Sequence, residues 1–252
     1  AGPAFTFLHG KPEAAKILNR LRKILTECPT ISILLTRKIR LPIVNLIKRE
    51  SLSRMAPGKG ETEMAGVDGG IMFNADKLRG WTQEVFQKIG VSRDDAALLT
   101  DSLIEANLRG VDTHGITRML CVYVERIRKG VMSAKSNLVV VREKASTALI
   151  DCNNSIGQVG AALAMRMAIE KAGKTGVAFT AVTHSNHYGM AAYWAMTALP
   201  HGMIGFSSTN APAAVAPTGG CTAMFGTNPF AVAIPAGREL PVVLDLATTV
   251  VA

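Results

Sequence analysis

From about Met72 the chain switches repeatedly between two periods: apolar residues three and four apart, and short runs rich in Val, Ile, Phe and Thr. NADKLRGWTQEVFQKIG places Leu78, Trp81, Val85, Phe86 and Ile89 at helical spacing, with Gly90 to close the helix. VSRDDAALLTDSLIEANLRG reads as a second helix. Ser92 suits its N-cap, Asp94 and Asp95 suit the first turn, and Gly110 follows the end. Its stripe Leu99, Leu103, Ala106 is expected to face a core. MLCVYVERIRKG, AALAMRMAIEKAGKTG and YGMAAYWAMTAL follow as helical segments. NLVVVRE, TALIDC, GVAFTAVTH, GMIGFSST, FAVAIPAG and PVVLDLA read as strands, DCNNSIGQVG as a turn and APAAVAPTGG as a loop. Helices and strands alternating along one chain specify the α/β class.

At 252 residues, 48% hydrophobic and 19% charged, the chain can bury a proper core. The net charge of +9 suggests nucleic acid until it is located. Residues 1–60 hold twelve Lys and Arg against three Glu, which is the whole excess, and the remainder is neutral. A basic surface for DNA or RNA is therefore not expected on the folded body. Residues 1–50 are basic, nearly free of acid and apolar in runs, the pattern of a mitochondrial transit peptide; a non-homologous extension fits them equally. Residues 56–70 read as a linker. The division expected is an extension over 1–70 and an oxidoreductase-like domain over 71–252, cytoplasmic, or mitochondrial if the head is a transit peptide. The stop at TTVVA, directly after a strand, reads as a C-terminal truncation. No apolar run is long enough for a transmembrane helix. Cys28, Cys121, Cys152 and Cys221 form no CxxC pair and read as buried, reduced thiols.

The usual fingerprints are missing: no GxGxxG after a strand, no GxxxxGK[ST], no GxSxG. Three polar clusters remain. In DTHGITR, His114 can exchange a proton near neutral pH and Arg118 can grip a carboxylate with two hydrogen bonds. Together they suit a 2-oxo or 2-hydroxy acid; equally, Asp112 or Thr113 can cap the next helix. In HSNHYG, His184 and His187 have a spacing that zinc can use, but no third ligand is near. An acid/base histidine at a strand's end and a plain polar turn both stay open. The third cluster joins Thr227-Asn228-Pro229 to Asp245, which ends PVVLD and is followed by small residues.

Taken in order, DTHGITR, DCNNSIGQVGAALAMRMAIEKA, HSNHYGMAAYWAM, MIGFSSTNAPAAVAPTGG, FGTNPFAVAIP and VVLDLATTVVA resemble the malate/L-lactate dehydrogenase family of the non-Rossmann type. That family includes ureidoglycolate, sulfolactate and diketogulonate oxidoreductases and cyclic imine reductases. The resemblance runs from about Met72 to Ala252 and leaves residues 1–70 without a counterpart. It implies a homodimer with its own NAD(P)-binding fold, a mixed sheet flanked by helices with a helical N-terminal part. It further implies hydride transfer between NAD or NADP and a small 2-oxo or 2-hydroxy acid such as malate or lactate. His187 falls at the family's acid/base histidine, His114 is a second candidate proton donor, and Arg118 holds the substrate carboxylate. Thr209-Asn210-Ala211 and Asp245-Leu246-Ala247 are the expected dinucleotide contacts, with no metal. The family's chains run on past Ala252, which fits a truncation. The competing readings are a truncated relative that acts only through dimerisation, and a metal hydrolase built on His114, His184 and His187.

Overall fold

Asn74 opens the first helix of the computed structural model, which describes residues 73–249. Its Oδ1 accepts from the N–H groups of Asp76 (2.9 Å) and Lys77 (3.1 Å), two donors that a helix start leaves free. The basic head, its transit-peptide reading and the linker lie outside the described residues. The chain divides into one unit up to Trp81 and another from Thr82 on.

The helices form where the apolar spacing places them. Helix α1 is Ala75–Lys88, and Gly90 after it takes the left-handed φ of +94° that closes a helix. Helix α2 is Arg93–Leu108; the Ser92 Oγ accepts from Asp95 N–H at 3.2 Å, and Leu99, Leu103 and Ala106 are completely buried. A single 3-10 turn, Asp112–His114, leads into α3, Ile116–Arg128, which buries Ile116, Met119, Leu120, Tyr123 and Val124.

Among the described residues six strands form two sheets of three. In the first, β1 (Val139–Glu143) is antiparallel to β2 (Thr147–Asp151), and β2 is parallel to β3 (Phe179–Thr183). Helix α4, Gly157–Thr175, is the crossover that a parallel pair requires and packs on both strands. Gly176 ends it in the left-handed region. In the second sheet, β4 (Gly205–Ser208), β5 (Phe230–Ile234) and β6 (Val242–Leu246) run antiparallel. Their inner face is small: Ala231 and Ala233 are buried against Ala191, Ala192 and Ala195 of helix α5, Ala191–Met196. The approach is so close that a Cβ on Gly205 would run into the Ala195 carbonyl. The α/β class and the mixed sheet flanked by helices thus hold, with the strands shared between two sheets.

Two segments differ from expectation. Helix α4 begins at Gly157, inside the stretch read as a turn. YGMAAYWAMTAL is helical only over Ala191–Met196, and Leu199–His201 tightens into a 3-10 turn whose second residue is Pro200. Of the cysteines expected to be buried, Cys152 is, Cys121 is half-buried and Cys221 is exposed; all three are free thiols, and Cys28 lies outside the described residues. No helix among the described residues is long and apolar enough to cross a membrane.

Candidate active site

The turn before α3 is built by a residue from α2. The Asn107 side chain accepts the Ile116 N–H at Oδ1 (2.8 Å) and donates from Nδ2 to Asp112 Oδ1 (2.6 Å). It therefore caps α3, a task that one reading of the sequence gave to Asp112 or Thr113. Gly115 is needed because a Cβ there would occupy the space of the Asn107 amide. Held in this way, His114 stands just before the helix and Arg118 in its first turn.

His187 comes from the loop after β3, and its backbone is fixed from the other side. A Cβ on Gly157, at the start of α4, would run into the carbonyl oxygens of Asn186 and His187. Asn186 is itself held: its Nδ2 donates to Asn154 Oδ1 (2.9 Å) and Ser155 O (3.0 Å), while its Oδ1 accepts from Arg126 Nη2 (2.9 Å). The result is that the rings of His187 and His114 stack, 5.4 Å between centroids and 23° between planes. Behind His187 a hydrogen-bonded line runs inward. Tyr123 Oη lies 2.6 Å from its Nδ1, and Gln158 Nε2 donates to Tyr123 Oη at 2.9 Å.

Burial and nearby charge lower the proton affinity of both histidines. Burial pushes the His187 pKa down to about 4, and the charges of His114, Arg118 and Arg126 push the same way. The outer edge of His187 is open to solvent, which weakens that burial effect. His114 is also lowered by burial; Asp245 opposes the shift and Arg118 adds to it. The two candidate proton donors and Arg118 therefore share one site, and the charge of Asp245 also reaches His114.

His184 belongs elsewhere. Its backbone takes a left-handed φ of +48°, and its Nδ1 pairs with Asp151 Oδ2 at 3.0 Å. The Asn153 N–H and then His184 hold the Asp151 carboxyl below its usual range. Its ring thus pairs with Asp151 while that of His187 pairs with Tyr123. Among the described residues no three His, Cys, Asp or Glu side chains are grouped to hold a metal.

The expected dinucleotide contacts lie on the second sheet. Asp245 Oδ2 accepts the Ala192 N–H of α5 at 2.8 Å, which ties β6 to that helix. Leu246 pairs with Phe230, and Ala247 is exposed beyond the strand. Thr209 N–H donates to Pro229 O (3.2 Å) and Ala211 N–H to Asn228 Oδ1 (2.9 Å), so the Thr227-Asn228-Pro229 segment shapes this loop. The link to the histidines is Tyr188, next to His187, whose Oη lies 3.2 Å from Ser207 Oγ on β4. Asn210 and Ala247 are exposed and Thr209 and Ala211 half-exposed, an open shelf of small and neutral polar groups. That set suits a carboxamide and ribose hydroxyls, and none of the six residues is a cation for the phosphates.

Tyr123, Gln158, Asn107 and Arg126 were missed from the sequence. The only signals were a polar-tipped tyrosine in the buried stripe of α3 and one amide among the small residues that open α4.

Known proteins share this arrangement of elements. Residues 73–252 match the malate/L-lactate dehydrogenase family. The chain is 45% identical over 181 residues to a malate dehydrogenase of Pyrococcus abyssi, covering 72% of this chain and 49% of that one. It is 38% identical over 182 residues to a malate/(S)-sulfolactate dehydrogenase of Methanothermus fervidus, covering 72% and 53%. The solved malate dehydrogenase of Pyrococcus horikoshii superposes with a TM-score of 0.68 at 44% identity, over 70% of this chain and 50% of that one. The chain spans about half the length of the relatives it matches. With a matching sequence over most of its length and a matching fold, this chain belongs to the malate/L-lactate dehydrogenase family.

Proposed function

We propose that this chain carries the proton-transfer and carboxylate-binding part of an NAD(P)-dependent oxidoreductase for small 2-oxo or 2-hydroxy acids such as malate or lactate. The observation that carries the reading is the His114–His187 stack with Arg118 acting on both rings. When bound, the nicotinamide supplies or accepts the hydride at the substrate carbon. The remaining tasks fall to the chain. Arg118 holds the carboxylate, which orients the neighbouring carbon–oxygen group. In reduction the His187 imidazolium gives its Nε2 proton to the carbonyl oxygen and keeps the one on Nδ1; in oxidation that Nδ1–H form, with Nε2 free, takes the proton from the hydroxyl, with His114 as the second donor. The substrate also prepares the site. Its carboxylate offsets the Arg118 charge, one cause of the low proton affinity of both rings, and so raises the fraction of imidazolium.

Thr209, Asn210, Ala211, Asp245, Leu246 and Ala247 are the residues proposed to hold the nicotinamide and its ribose, with NAD or NADP as the cofactor. The acting form is proposed to be a homodimer. The reading is tested by thermal unfolding of the chain with NADH and with NADPH, followed by an NAD(P)H oxidation screen against a panel of 2-oxo acids. Stabilisation by one nucleotide, about 2.7 kcal/mol at a hundredfold excess over Kd, and turnover of one 2-oxo acid are expected. Neither effect with either nucleotide would contradict the proposal.

A further inference from the structure

The line behind His187 contains an amide with one unexplained end. Gln158 is completely buried, and its Nε2 donates to Tyr123 Oη, yet its Oε1 has no partner. Buried polar atoms are seldom left unpaired, and an exception asks for a reason. The reason lies two links away, at His187.

The Gly189 N–H, which can only donate, points at His187 Nδ1 from 3.3 Å. Nδ1 is therefore an acceptor, and the neutral ring carries its proton on Nε2. In this state the Tyr123 hydroxyl donates to Nδ1 and accepts from Gln158. Protonation of the ring reverses the demand. Nδ1–H becomes a donor, Tyr123 must accept from it, and the Tyr123 O–H must turn to another acceptor. If the Gln158 amide turns end for end, Oε1 comes to where Nε2 now lies, facing that hydroxyl. The two arms of an amide are nearly equal in size, so the turn leaves the packing undisturbed.

We infer that Gln158 is a positioning residue: by turning its amide it lets Tyr123 change from donor to acceptor, and so governs whether His187 Nδ1 can hold a proton. Oε1 is unpartnered in the neutral state because it is the acceptor used in the protonated one. Tyr123 keeps its own proton throughout, since burial pushes its hydroxyl well above the usual tyrosine range. The other charged groups that bear on the ring are His114 before α3 and Arg118 and Arg126 on α3, with Asp245 of β6 acting on His114. None is altered by a change at Gln158. The inference rests on the proposed role of His187 in proton transfer.

The test is a ring-nitrogen NMR titration of His187 in the whole chain, its signals assigned by their loss in His187→Ala. The unaltered chain should show the Nε2–H tautomer. Gln158→Met removes the acceptor and should lower the midpoint of His187. Gln158→Glu supplies a permanent acceptor and should raise it by about one pH unit or more. In a Tyr123→Phe background Gln158→Met should have no further effect. If the buried carboxyl of Glu prevents folding, the Met and Phe variants decide the matter. Shifts of one sign in both Gln158 variants, or an undiminished Met effect without the Tyr123 hydroxyl, would overturn the inference. The two proposals fail separately. A titration that moves as expected while His187→Ala retains full NAD(P)H turnover removes the proton-transfer reading alone. A ring that ignores Gln158 while His187→Ala abolishes turnover removes the relay alone.

Discussion

The rings of His114 and His187 stack 5.4 Å apart although 73 positions separate the residues in the chain, so a proton on one ring disfavours a proton on the other. Both rings are held below the ordinary histidine range, chiefly by burial. Between about pH 6.5 and about 4 the unfolded chain then binds protons that the folded chain refuses. Stability is full above pH 6.5 and should fall as the pH drops through that window. Thermal unfolding across pH 4–7.5 checks this, and His187→Gln should flatten the slope. A slope unchanged in the variant would mean that His187 is not the group responsible.

Gly157 and His187 define the second expectation. A methyl on Gly157 collides with the backbone carbonyls of Asn186 and His187, which belong to a loop held on several sides and not to a flexible side chain. Gly157→Ala should destabilise the chain by about 1–3 kcal/mol, the usual cost of overpacking. Urea unfolding midpoints read this directly.

Asn107 supplies the third. Asn107→Ala leaves the buried Ile116 N–H without an acceptor and frees Asp112, and should cost about 1–3 kcal/mol. Asn107→Asp keeps an acceptor for Ile116 but sets a carboxylate against Asp112, so its deficit relative to the unaltered chain should shrink as the pH falls through the carboxylate range. Denaturant melts at pH 7 and pH 4 distinguish the two variants.

Arg118 supplies the fourth. Arg118→Gln removes the proposed carboxylate grip and should raise KM for a 2-oxo acid roughly tenfold or more, from about 1.5–3 kcal/mol for a hydrogen bond to a charged group. Arg118→Lys keeps the charge but loses the paired geometry and should fall between. Steady-state kinetics over the 2-oxo acid concentration separates KM from kcat.

Local signals were legible in the sequence. The Ser92 cap, the Leu99, Leu103, Ala106 stripe and all six strands follow from short-range patterns that tertiary contacts reinforce. The start of α4 was not, because no side chain caps it: Gly157 is there for the close approach of the His187 backbone, which no local pattern announces. The sharing of strands between two sheets was hidden for a similar reason, since pairing is non-local and an apolar run does not name its partner. In the candidate site, His114, Arg118 and His187 came from motifs. Tyr123 and Gln158 did not, because a tyrosine in an apolar stripe reads as packing and its partners lie 64 and 35 residues away.

Turnover of NADH or NADPH with a 2-oxo acid, measured side by side for the unaltered chain and His187→Ala at matched stability, decides whether His187 transfers the proton. Loss of the proton-transfer group should lower kcat by about a hundredfold to ten-thousandfold. Equal turnover in the two proteins would contradict that role.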